Sequence, residues 1–154
     1  MPRLLVFALC EKVIIGQDNM PSLIGVLQGF NINVPAGKTM TDTGFFPCPW
    51  AAFSSWLNEG DDATVMYEQL VSLLGSSGKL LFFNVTQFQM TKIQHRISVG
   101  SPVFPTLPEG SHNVLLAIRK VGDPEWTQVS SYPLQIYHIV IPSPAAVLEP
   151  EKKS

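Results

Sequence analysis

Two apolar runs on either side of a turn cluster constrain this chain more than any other feature. Between Arg3 and Val34, LLVFALCEKVII leads into GQDNMP and then SLIGVLQGFNINV. Runs rich in Val, Ile, Leu and Phe, bounded by Gly, Asn, Asp and Pro, read as a long β-hairpin. In the second arm Ile24, Val26, Phe30, Ile32 and Val34 share one face, because strand side chains alternate, and that face is expected inside. The other face, with Leu23, Gly25, Leu27, Gly29, Asn31 and Asn33, is expected to be open. Its two glycines leave room for an aromatic ring or a bulge. The first arm is apolar on both sides, with Leu4, Val6, Ala8 and Cys10 against Leu5, Phe7 and Leu9. Such a strand is expected to be central and covered twice.

A chain of 154 residues fits one domain and buries enough surface for a self-sufficient core. Cys10 and Cys48 are too few for a disulfide framework, and both are expected to be reduced. A net charge of -2, with no Lys/Arg cluster, argues against nucleic acid and anionic membrane surfaces as partners. MPRLLVFALC mimics a signal or lipoprotein leader, but Leu9 is too large for a cleavage site and the strand pattern continues to Ile15. No segment approaches the roughly 20 apolar residues of a membrane span. A cytoplasmic protein without cofactor is expected.

Residues Pro35 to Pro49, with Phe45 and Phe46 among prolines and glycines, read as a long connection and a candidate recognition loop. Trp50 to Leu57 alternates as a third strand. Ala63 to Leu74 fits a strand, with a helix behind an Asp62 cap as the alternative. Gly75 to Gly78 reads as a hairpin tip leading into Lys79 to Phe83. Extended segments continue from Asn84 to Val99, and Gly100 to Gly110 is a proline-rich crossing that cannot be a central strand. Asn113 to Val121 turns at Gly122-Asp123-Pro124 and returns through Trp126 to Val140. Residues 142–154 are expected to be a disordered tail.

About eight strands without a sustained helical pattern predict an all-β domain over residues 1–141, an antiparallel β-sandwich, with a closed barrel as the alternative. Leu4 to Cys10 followed by Glu11, Ser22-Leu23-Ile24-Gly25-Val26, Leu107-Pro108-Glu109-Gly110 and Tyr132-Pro133-Leu134-Gln135-Ile136 resemble a group of uncharacterised bacterial proteins. The resemblance covers roughly Arg3 to Ile136. It implies an immunoglobulin-like sandwich and no catalytic residue, because none is known for that group.

Glu11 shares the strand face of Leu5, Phe7, Leu9 and Val13, so it is expected to be buried. A buried carboxylate is either paired or raised in pKa, and a structural pair is the favoured reading. His95, His112 and His138 are far apart with no second ligand at metal spacing. His95 and Arg96 could form a polar site with Glu11, although plain solvent exposure is favoured. Cys48 sits between prolines with nothing nearby to activate a thiolate. No GxSxG elbow or phosphate loop is present. One or both of Trp50 and Trp56 read as core, which leaves Phe45, Phe46 and Trp126 as candidate contact residues.

These features favour a non-enzymatic module acting through protein contacts, by self-association or by docking to a larger assembly such as a phage or defence complex. A small-ligand binding module closed by the Pro35 to Pro49 loop is the second reading. An enzyme using Glu11 and His95 is the third.

Overall fold

The structure, a computed structural model, describes residues 1–40, 44–60, 63–75 and 77–142. Nine strands form two sheets: β1 (Arg3–Ile15), β2 (Pro21–Val26), β3 (Gly29–Pro35), β4 (Phe45–Leu57), β5 (Met66–Leu74), β6 (Leu80–Gln89), β7 (Gln94–Pro105), β8 (Gly110–Lys120) and β9 (Thr127–Ile141). A four-stranded sheet runs β2-β1-β4-β7 and a five-stranded sheet runs β3-β9-β8-β5-β6. They pack face to face as a sandwich, and neither closes on itself, so the barrel alternative does not hold. Among the described residues no helix is long and apolar enough to cross a membrane.

The expected hairpin holds only in its first part. β1 and β2 pair antiparallel from Cys10↔Val26 to Ile15↔Pro21. The chain then leaves the first sheet at Leu27 and Gln28. β3 lies parallel to β9, from Gly29↔Gln135 to Pro35↔Ile141. The second arm is therefore two strands in two sheets, the count is nine rather than eight, and one pair in the sandwich is parallel. Gly29 makes that parallel pair possible, since a Cβ there would lie 2.4 Å from the carbonyl oxygen of Gln135.

The crossing also explains why the face assignment fails in part. Phe30, Ile32 and Val34 are buried as expected, but Ile24 and Val26 are exposed. Arg96 pairs with Ser55, which pairs with Val6, yet its guanidinium donates to the carbonyl of Asn19 in the β1–β2 turn. The turn can reach Arg96 only if the arm Cys10–Val26 folds back across the outer side of the first sheet. Gly25, at φ +60°, lies within the arm between the pairs Cys10↔Val26 and Lys12↔Ile24. Burial on that outer side agrees: Ala8, Cys10, Ala51, Phe53 and Ser55 are covered. Within the arm Val13 and Leu23 are half-buried, while Ile14, Ile24 and Val26 are exposed. The twice-apolar β1 is thus central, but its first half pairs with β4 and its second with β2.

β4 begins at Phe45, so the expected connection from Pro35 to Pro49 is shorter than predicted, and residues 41–43 of it lie outside the described residues. A bulge between Pro47 and Trp50 takes up the prolines in the strand. β5 is a strand, as the alternation indicates, and the helix alternative fails; its proposed Asp62 cap lies outside the described residues. The proline-rich crossing is strand as far as Pro105, at the edge of the first sheet, where missing amide donors do little harm. The expected tail beyond Pro142 falls outside the described residues.

Between the sheets lie Leu9, Phe30, Trp50, Trp56, Tyr67, Phe88, Phe104, Leu116 and Leu134. One polar group crosses this interior. Ser54 Oγ and Trp56 Nε1 donate to Gln69 Oε1 at 2.5 and 2.8 Å. All three residues are essentially inaccessible to solvent. The bonds tie β4 of one sheet to β5 of the other, which fixes how the sheets face each other.

Candidate functional site

The six residues singled out from the sequence do not form one site. Phe45 and Phe46 are neighbours on β4 and point to opposite sides. Phe46 packs on Phe30 and Phe104, with ring centroids 5.9 and 5.8 Å away, and is half-buried against the edge of the core, on a strand rather than in a loop. Phe45 is 62% exposed. The reason is strand alternation, which a loop reading could not anticipate.

Trp126 lies in the β8–β9 connection, and the guanidinium of Arg119 sits 4.3 Å above its ring. That guanidinium also meets Glu68 at 2.7 Å, and Gln87 donates to the other carboxylate oxygen at 2.9 Å. One face of Trp126 is therefore occupied, and the residue belongs to a polar chain across β6, β5 and β8. The bonds from Gln87 and Arg119 hold the Glu68 carboxyl below its ordinary value.

Glu11 is exposed, contrary to expectation. It occupies the space beside Gly25, where a Cβ would lie 2.7 Å from Glu11 Cδ. The room expected for an aromatic ring is taken by this carboxylate. β1 carries Glu11 beyond the part that packs between the sheets, so sharing a strand side with Leu9 does not bury it.

His95 pairs with Trp56, at the opposite end of the β1–β4 ladder from Glu11. The structure does not bring the two together. His95 is half-buried, with its ring stacked on Phe88 at 5.1 Å, rather than freely solvated. Burial, and then the charge of Lys92, push its pKa down. The neutral ring is the favoured form.

His95 and Arg96 instead line a cleft of about 620 Å³ with Ile15, Asn19, Lys92 and Gln94. Arg96 spends one terminal nitrogen on Asn19 and the other on Gln94 Oε1, at 3.2 Å. Its Nε is buried without a partner. His95 and Arg96 thus share one cleft wall without Glu11, and the hairpin turn lies opposite. Sequence spacing missed Asn19 because a backbone carbonyl carries no residue signature.

Cys10 and Cys48 are both free. Burial pushes both thiols up, and the charge of Glu11 adds to this at Cys48. A thiol shifted upward is less often the thiolate a nucleophile needs.

What the residue types could not show is where exposed apolar side chains gather. Phe83 and Val85 stand together on β6, Tyr137, Ile139 and Ile141 on β9, and Ile14, Ile24 and Val26 on the folded-back arm. Comparison with family models finds no match, and comparison with curated proteins finds no relative.

Proposed function

We propose that this protein is a non-enzymatic β-sandwich module that works through protein–protein contacts, first of all with copies of itself. The observation that carries the reading is the grouping of large exposed apolar side chains on strand surfaces, at β6, at β9 and on the β1–β2 arm. Scattered exposed apolar residues are ordinary, whereas contiguous ones mark surfaces that another molecule covers. The same reading keeps the chain with the uncharacterised, immunoglobulin-like bacterial proteins that it resembles.

A second reading has its own observation. The cleft between the hairpin turn and residues 91–96 is lined by the two cationic residues Lys92 and Arg96, with His95 between them in sequence. This suits a small anionic ligand.

Native mass spectrometry of the purified protein separates the two. A multiple of the 16.9 kDa chain mass supports contact between copies. A monomer carrying a reproducible small added mass overturns that reading in favour of the cleft.

A further inference from the structure

We propose that β6 pairs antiparallel with β6 of a second copy, about a two-fold axis at Asn84, joining the two five-stranded sheets into one. The inference rests on the self-association reading and names the surface for it.

β6 is the last strand of its sheet, so one row of its backbone amides and carbonyls has no strand beside it. Sheet edges are normally blunted by proline, charge, shortness or bulges. The other three edges carry such devices. β7 contains Pro102 and Pro105, β3 has seven residues and ends at Pro35, and β2 starts at Pro21 with Gly25 at positive φ. β6, reading LLFFNVTQFQ, has no proline, no glycine and no charge. It exposes Phe83 by 61% and Val85 by 44%.

The strand is complementary to itself. Both exposed residues lie on the outer side, since Phe82 and Phe88 point inward onto Trp50 and Trp56. Antiparallel pairing centred on Asn84 sets Phe83 of each copy opposite Val85 of the other. Aromatic against β-branched is a favourable cross-strand pair. The same register places Phe82 opposite Thr86. Lys79, the nearest charged residue before the strand, lies beyond this ladder, so no like charges meet at the seam. A charged partner strand would find nothing on β6 to pair with, which favours a second copy as the occupant.

Sedimentation velocity over a dilution series tests the pairing on three full-length proteins. The wild type is expected at twice 16.9 kDa. The double substitution Phe83→Lys with Val85→Lys sets two like charges opposite each other twice, and should raise the dissociation constant at least about tenfold. Phe83→Lys with Val85→Glu sets opposite charges across the same seam and should restore the dimer. Both variants alter exposed side chains, and unchanged thermal unfolding of the monomer confirms that they fold. A wild-type dimer that persists in the double-lysine variant overturns the β6 seam while leaving self-association standing. A charge-swapped variant as weak as the double-lysine one overturns the Asn84 register. A wild type that stays monomeric throughout the series overturns both the seam and the reading beneath it.

Discussion

β4 and β6 are written in similar letters and are placed in opposite circumstances. Both are uncharged and aromatic-rich, FFPCPWAAFSSWL against LLFFNVTQFQ. β4 has β1 on one side and β7 on the other, and every residue from Trp50 to Trp56 is buried. One side of it packs on the facing sheet and the other lies beneath the returned β1–β2 arm. β6 has β5 on one side and, among the described residues, no strand on the other. Aromatic content therefore does not mark a contact surface. The number of neighbours a strand acquires decides whether its rings stabilise the fold or remain available to another molecule.

The largest expected effect lies in β4. Trp56→Ala removes a fully buried indole, its stacking on Phe88 and its bond to Gln69, and should cost about 3–5 kcal/mol in urea unfolding. A loss below about 1 kcal/mol would break the contrast, since it would make β4 no more essential than a surface strand. Within β4 itself, Phe46→Ser should cost about 2 kcal/mol through its lost burial. Phe45→Ser, one residue away, should stay within about 0.5 kcal/mol. Equal midpoints for the pair would contradict the opposite orientation of the two rings.

Two pH experiments address the contacts that β6 makes with its surroundings. His95, stacked on Phe88 of β6, has its pKa depressed from the ordinary 6.5. Between that value and the lower folded one, the unfolded chain binds a proton that the folded chain does not, so stability falls as pH drops below 6.5. His95→Phe keeps a ring on Phe88 and should abolish this decline; parallel curves for variant and wild type would refute the assignment. Glu68, bonded by Gln87 of β6, is depressed from 4.5. Its contribution is present above 4.5 and is lost as pH falls through the folded value. Glu68→Gln should flatten the acid limb of thermal unfolding, and an unchanged limb would count against the bond. The smallest effect is expected at Phe83→Ser, which should leave the unfolding of the monomer, measured at high dilution, within about 0.5 kcal/mol of the wild-type monomer.

The fold class could be read in the sequence because alternation and turn residues are local signals. The hairpin Asn113 to Val140, the tip at Gly75 and the strand over Met66 to Leu74 all follow from them. What local signals could not carry was the change of partner at Leu27 and Gln28. Nothing in GVLQGF distinguishes a strand that continues from one that crosses to another sheet, because the distinction depends on Gln135, more than a hundred residues away. The misjudged sides of Ile24 and Val26 and the mistaken burial of Glu11 share this kind of cause: both depend on what lies beside a strand. Candidate residues fared unevenly for the same reason. His95 and Arg96 do line one cleft, since they are adjacent in sequence. Phe46, Trp126 and Glu11 were reassigned by neighbours from other strands, namely Phe104, Arg119 and Gly25.

The parallel pair of β3 and β9 has a consequence for how the chain is made. β3 leaves the ribosome well before β9, which is its one strand neighbour among the described residues. Until Gln135 to Ile141 are synthesised, Phe30, Ile32 and Val34 have no ladder to join. Such distant pairing slows folding and leaves an apolar strand unpaired meanwhile. The nascent chain must therefore hold this apolar segment open until β9 is made, and chaperone dependence should track β9 rather than β1.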